Sequence, residues 1–204
     1  MHKHCLALPA LLLLVSAQPA LAASTVDLSV KGQVTPKACT PLLSSGGMID
    51  YGKISQHDLN LDKGTRLPIK QLQVRIGCNA PARFALRMRD NRIGSATVNN
   101  EIYYGLGFDN SGNRIGLYSM TFDPRKTLVD STSLIYGTES TTGGLAWRTA
   151  NLNTIEIGAN SYLGFTETKD SVAGPSAIQV LISTVKVEAV INARQNLDLS
   201  TDTP

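Results

Sequence analysis

The residues whose types and spacing could do chemistry are few: three cysteines, three histidines, an oxygen-rich run Asp109-Asn110-Ser111-Gly112-Asn113, two Gly-Gly pairs and a spaced set of arginines. A hydrolytic triad needs a base. Outside the first 22 residues His57 alone could serve, and it sits in Ser55-Gln56-His57-Asp58, a polar stretch that reads as a loop. Metal sites built from several imidazoles are excluded by count. Gly46-Gly47 and Gly143-Gly144 lack the lysine and the strand-to-helix setting of a phosphate cradle. The run from Asp109 to Asn113 has oxygen ligands at alternate positions, like half of a calcium loop, but an EF-hand would need Gly where Arg114 stands and Glu where Met120 stands. A hairpin turn is the better account. Arg83, Arg87, Arg89 and Arg92 could form a basic patch for an anionic glycan or a membrane surface, against the plainer reading of a solvated strand face. No catalytic residue, cofactor or metal ligand is therefore expected, and the chain reads as non-enzymatic.

The N-terminus sets the compartment in which the cysteines act. Lys3 supplies a basic start, residues 6–17 form an apolar run broken by Pro9 and Ser16, and Ala20-Leu21-Ala22 offers small residues where a signal peptidase reads them. Residues 1–22 are thus expected to be a signal peptide, too short for the roughly 20 apolar residues of a membrane span, and residues 23–204 the exported domain. His2, His4 and Cys5 leave with the leader, and loss of Lys3 lowers the formal charge from +3 to about +2, too weak to argue for nucleic acid. Two cysteines in an oxidising compartment make a Cys39–Cys78 disulfide the default, since their spacing suits neither a redox pair nor a zinc cluster. Closing such a loop contributes about 4 kcal/mol in the chain-entropy model.

The elements that must position these residues are strands. Val26, Leu28, Val30 and Val34 alternate with polar residues; Leu72, Val74, Ile76 and Cys78 share a parity; Phe84, Leu86 and Met88 oppose Arg83, Arg87 and Arg89. Further strands are expected at 48–54, 104–108, 115–118, 133–136, 155–157 and 162–166, with Gly143-Gly144 leading into another at Leu145 and Trp147. In the last long run the apolar parity changes from Ile178, Val180 and Ile182 to Val185, Val187, Ala189 and Ile191. A bulge near Ser183 and Thr184, a strand crossing there between sheets, or a central strand buried on both faces would produce that change. Short strands with recurrent turns and no helical stripe argue for an all-β sandwich in one domain.

The order Gly32-Gln33-Val34, Cys39, Ile49-Asp50-Tyr51-Gly52-Lys53-Ile54 and a strand ending at Cys78 resembles chaperone–usher pilin subunits. Asp90-Asn91-Arg92-Ile93-Gly94, Tyr104-Gly105-Leu106-Gly107 and Ile115-Gly116-Leu117-Tyr118 look like the GltF-type group of fimbrial-like proteins. The resemblance implies an immunoglobulin-like (pilin-like) β-sandwich, incomplete at its C-terminal strand and exported to the periplasm or a cell-surface fimbrium. Its partners would be a periplasmic chaperone, an usher and other fimbrial subunits. On this reading residues 23–31 are a donor-strand arm presenting Val26, Leu28 and Val30, with Gly32 where it meets the domain; the alternative is that they form the first strand of their own sandwich. A missing closing strand would leave residues 196–204 loosely held. The competing function is a monomeric glycan-binding module using Tyr103, Tyr104 and Trp147.

Overall fold

In the run from Lys70 every second residue is apolar, and a strand is the conformation that gathers such residues on one face. The computed structural model describes residues 38–200 other than Ser131 and Ser133. Its strands are β1 (Cys39–Leu43), β2 (Thr65–Arg66), β3 (Lys70–Arg83), β4 (Leu86–Arg87), β5 (Tyr104–Gly105), β6 (Gly116–Val129), β7 (Tyr136–Ser140), β8 (Ile155–Glu156), β9 (Tyr162–Thr166) and β10 (Ala177–Ile191). Three short 3-10 turns, at Ser44–Gly47, Gln56–Asp58 and Arg194–Asn196, are the helical elements among the described residues.

The strands form two antiparallel sheets. One runs β1-β3-β10-β6-β5, with β2 beside β10 and β8 beside β6; the other runs β4-β9-β7. Their inner faces make one core. Val74, Ile76, Phe122, Leu181 and Val185 come from the larger sheet, and Leu163 and Phe165 from the smaller. Phe122 and Phe165 meet across it with ring centroids 6.2 Å apart and planes tilted by 54°, a favourable aromatic geometry. The chain is thus an all-β protein of two packed sheets.

Cys39 and Cys78 stand directly opposite each other in the β1–β3 register, with Cα atoms 4.0 Å apart, and are joined as a disulfide. The inward parity of Cys78 places its sulfur at the core, where it is buried with Val74 and Ile76. Among the described residues β1 has β3 as its one strand neighbour, so the bond fastens a strand that five register pairs hold.

β10 lies between β3 and β6, and its parity does change, but earlier than the apolar pattern indicates. Ile178 is buried, and from Leu181 onward the buried residues are Leu181, Ser183, Val185, Val187 and Ala189, so the switch falls at Gln179 and Val180. Asp130 holds it there. Its carboxylate accepts the Gln179 N–H at 3.1 Å and the Val180 N–H at 2.7 Å, while its own N–H donates to the Val180 carbonyl at 2.8 Å. On the opposite side the β3 register slips between Ala82 and Gly77, where Pro81 can be tolerated. A second irregularity does occur beside Thr184, but β6 absorbs it: Ser183 pairs with Thr127 and Val185 with Phe122, leaving residues 123–126 bulged. Ser183 disguised the pattern because it is a polar residue on the inner face, satisfied by the Thr127 hydroxyl at 2.7 Å.

Three expected strands are corrected. Residues 48–54 are irregular, since the chain turns through Ser45 and Gly46 at positive φ and Gly52 follows at φ 67°. Leu145 and Trp147 lie in a loop: Gly143 and Gly144, both at positive φ, belong to a turn whose N–H groups are taken by the Ser140 and Thr142 side chains, and Leu145 is 91% exposed. The strand sought at 133–136 begins at Tyr136 and continues to Ser140.

Replacing both cysteines by serine is expected to cost about 2–5 kcal/mol of unfolding free energy. Denaturant titration measures the loss, and amide exchange should show β1 losing protection before β3 and β10.

Candidate functional site

The three glycine-containing stretches that lie far apart in sequence meet in one hydrogen-bonded knot. Asp90, on the loop after β4, is buried, and its carboxylate accepts the Arg92 N–H at 2.8 Å and the Gly105 N–H at 3.2 Å. The Ser95 hydroxyl donates to the Arg92 carbonyl at 2.7 Å and accepts the Gly107 N–H at 3.0 Å. The Arg92 guanidinium donates to the Leu106 carbonyl. Gly116 completes the arrangement, accepting the Leu106 N–H at 3.4 Å while the Ile115 N–H donates to Gly107 at 3.0 Å. Glycine is required sterically at two of these places: a Cβ on Gly105 would lie 2.0 Å from Ser95 Oγ, and one on Gly116 would lie 2.2 Å from the Val190 carbonyl oxygen. Tyr104 seals the inside. It is fully buried, stacks on Tyr118 with centroids 5.2 Å apart, and donates its hydroxyl to the Ile157 carbonyl at 2.7 Å. Burial, with Tyr118, Asp90 and Glu101 nearby, pushes its phenol far above the ordinary range.

Beside the knot is an open cleft of about 570 Å³, lined by Arg89, Asp90, Asn91, Arg92, Ile93, Ser95, Gly107 and Phe108. Phe108 and Arg114 form an antiparallel bridge across the 109–113 turn. That turn is a hairpin, as expected: Asp109 and Asn113 are joined by a backbone bond at 2.9 Å, and Gly112 adopts φ 81°.

The Asp109 carboxylate accepts the N–H groups of Ser111 and Asn113 and, from far along the chain, that of Asp198 at 2.7 Å. Burial opposes its ionisation, but these donors outweigh it and hold the carboxyl below its ordinary range. Asp198 in turn accepts the Ser111 hydroxyl at 2.5 Å, which with Ser200 brings its carboxyl down to about 2. The expectation of a loosely held C-terminus is therefore corrected for residues 196–200, because paired carboxylate caps clasp this segment to the hairpin; residues 201–204 lie outside the described residues. No further strand follows β10 among the described residues.

Phe84, Leu86 and Met88 are half-buried and pack on the core, while Arg83, Arg87 and Arg89 are exposed, as their alternation predicts. Among the described residues β4 is an edge, with β9 its one strand partner, over Leu86–Leu163 and Arg87–Tyr162. Arg87 lies over the Tyr162 ring at 5.6 Å. Tyr51, near the other edge of the core, has its hydroxyl buried without a hydrogen-bond partner among the described residues, and burial raises its phenol.

Of the residues singled out from sequence, Val26, Leu28, Val30 and Gly32 lie outside the described residues. His57 is exposed on the 3-10 turn that Ser55 caps through the His57 N–H at 3.2 Å, in keeping with a loop. Of the aromatics considered for sugar binding, Tyr103 and Trp147 are partly buried. Tyr104 is buried, and Trp147 lies against Gly174 and Gly164 with its indole N–H on the Gly144 carbonyl at 3.0 Å. Phe108, 48% exposed at the cleft, was missed; its place opposite Arg114 in a hairpin was the available signal.

Residues 28–104 match the model of a family described as "Protein of unknown function (DUF1120)". Over 133 residues the chain is 32% identical to Protein GltF of Escherichia coli (strain K12), an alignment covering 53% of this chain and 52% of that one. The chain thus spans about half the length of GltF. It is 24% identical over 203 residues to "Uncharacterized protein YhcF" of the same organism, covering 86% of this chain and 84% of that one. No solved structure matches. The likeness to GltF read from the glycine-containing stretches is thus found directly, and it reaches YhcF over most of the chain. No helix among the described residues is long and apolar enough to cross a membrane.

Gly105→Ala is expected to destabilise the fold by about 1–3 kcal/mol, because the knot cannot yield to a methyl group without shifting backbone; thermal unfolding measures it. The clasp is expected to depend on pH with a definite sign. The Asp109 and Asp198 carboxyls are depressed in the folded chain, so their stabilisation is complete above the ordinary carboxylate pKa of about 4. It is lost as pH falls toward the Asp198 value of about 2. The Asp198 amide should accordingly exchange faster, after correction for intrinsic rates, at pH 2 than at pH 5, while the β10 amides change less.

Proposed function

We propose that the protein is a non-enzymatic, exported fimbrial-like subunit that assembles by donor-strand complementation. The observation that carries this reading is the β4 edge. There Phe84, Leu86 and Met88 alternate along a segment paired over two residues, each packed on the core yet not fully buried. Such an edge offers unpaired backbone groups and alternate apolar contacts, which are the two things an added strand uses. The complementary feature is the N-terminal arm, residues 23–31, whose Val26, Leu28 and Val30 fall on one face of an extended chain. A donor strand of this kind contributes roughly 1.5–3 kcal/mol for each fully buried apolar side chain before ordering costs. The disulfide accords with export. In the proposed pathway a periplasmic chaperone shields the edge first, and the usher exchanges it for the arm of the next subunit.

Leu28→Asp tests the proposal. A donor role predicts a folded monomer, with unchanged thermal unfolding, that no longer gives heat-sensitive multimers in gels. If Leu28 instead belongs to a strand of its own domain, the isolated protein loses stability. Periplasmic protein that co-purifies with no chaperone and forms no multimers would end the assembly reading.

A further inference from the structure

We infer that the cleft beside the Asp90 knot is a binding site for an acidic saccharide, a sugar bearing a carboxylate such as a hexuronate. Its walls combine the two chemistries that such a ligand presents. Arg89 is exposed and makes no ion pair or hydrogen bond among the described residues, so its guanidinium fork is available to a carboxylate. Arg92 stands on the same cleft, its position set by the bond to the Leu106 carbonyl. Arg114, the cross-strand partner of Phe108, lies on the same face of the hairpin and adds a third positive charge nearby. The one carboxylate in the lining, Asp90, is buried and turned to the backbone N–H groups of Arg92 and Gly105, so it offsets this charge with its hydrogen-bonding capacity spent inward.

The apolar half of the cleft is Phe108, 48% exposed, and Ile93, 79% exposed. A pyranose has a polar rim and a C–H face, and it can set that face on an aromatic ring while its carboxylate meets an arginine. An acidic peptide would have less use for a single open ring beside these arginines. The volume, about 570 Å³, falls within the range of small-ligand sites. The floor is prepared in advance, because the Ser95, Gly105 and Gly107 bonds fix the loop that carries Arg92 and Ile93. This inference does not depend on assembly, since it can be measured on a monomer. It also differs from a sugar site built on Tyr104 and Trp147, the first of which is buried and the second partly buried against Gly164 and Gly174.

The test is calorimetric titration of the intact protein with a galacturonate trisaccharide, a neutral galactose trisaccharide, an acidic hexapeptide and sodium sulfate at low salt. Binding is expected for the galacturonate alone, weakening as salt rises. Arg89→Gln should lower the affinity about tenfold, the effect of losing a charge-assisted pair. Phe108→Ala should lower it severalfold, and both variants should unfold at the wild-type temperature, since neither side chain supports the knot. Equal binding of the neutral sugar would overturn the role of charge. Equal binding of the hexapeptide would make the cleft a peptide surface. Sulfate binding with Phe108→Ala silent would reduce it to an anion spot, and galacturonate failing to bind, or binding unchanged in Arg89→Gln, would remove the site.

Discussion

The rest of the fold is registered against β10. A strand in the middle of a sheet must satisfy its backbone groups on both sides, because no water reaches them, and β10 does so against β3 on one side and β6 on the other. Its inner residues Ile178, Leu181, Val185 and Val187 then become the floor on which Phe122 and Phe165 meet. Two irregularities interrupt these ladders, and each has a local remedy. Asp130 supplies acceptors where β10 changes face, and residues 123–126 of β6 bulge where the second slip falls. Among the described strands β1 pairs with β3, and the disulfide joins the two.

The acidic residues of the loops serve the backbone more than they serve charge. Asp90, Asp109 and Asp130 each accept at least two main-chain N–H groups: Asp90 and Asp109 each take one from two residues along the chain, as short carboxylates readily do, and all three take others that the fold brings up from farther away. With these negative charges turned to the backbone, the arginines that follow β3 are left facing solvent. Few ion pairs form among the described residues, and the tightest, Lys186 to Glu188 at 2.8 Å, lies elsewhere on β10.

One alternation, running from Ala82 to Arg89, therefore sets two surfaces. Phe84, Leu86 and Met88 turn to the core without being fully buried, along the edge at which strand addition is proposed. Arg83, Arg87 and Arg89 turn outward, and the last of them reaches the cleft formed with Phe108. Assembly and ligand binding, as proposed, would draw on opposite faces of the same segment. Neither would need to disturb the other.

Period-two patterning, turn residues and an even count of exported cysteines were enough to read the all-β class, the disulfide, the inward side of β3 and the hairpin at 109–113. These depend on neighbours in sequence or on simple counting. The knot and the cleft depended on contacts between segments that are not neighbours in sequence. Asp90 meets Gly105, and Asp109 meets Asp198, only after the sheets have formed, and nothing local marks a particular aspartate as the partner of a distant N–H. Residues 48–54 and 196–200 depart from their apolar pattern for two different reasons. Ile49 and Tyr51 are apolar enough for a strand, yet positive-φ turns break the extended backbone, and the polar C-terminal segment is held by hydrogen bonds that hydropathy does not register. Parity in β10 failed at Ser183 because the hydroxyl of Thr127 lets a polar residue occupy the inner face, a partnership that only the tertiary structure could supply.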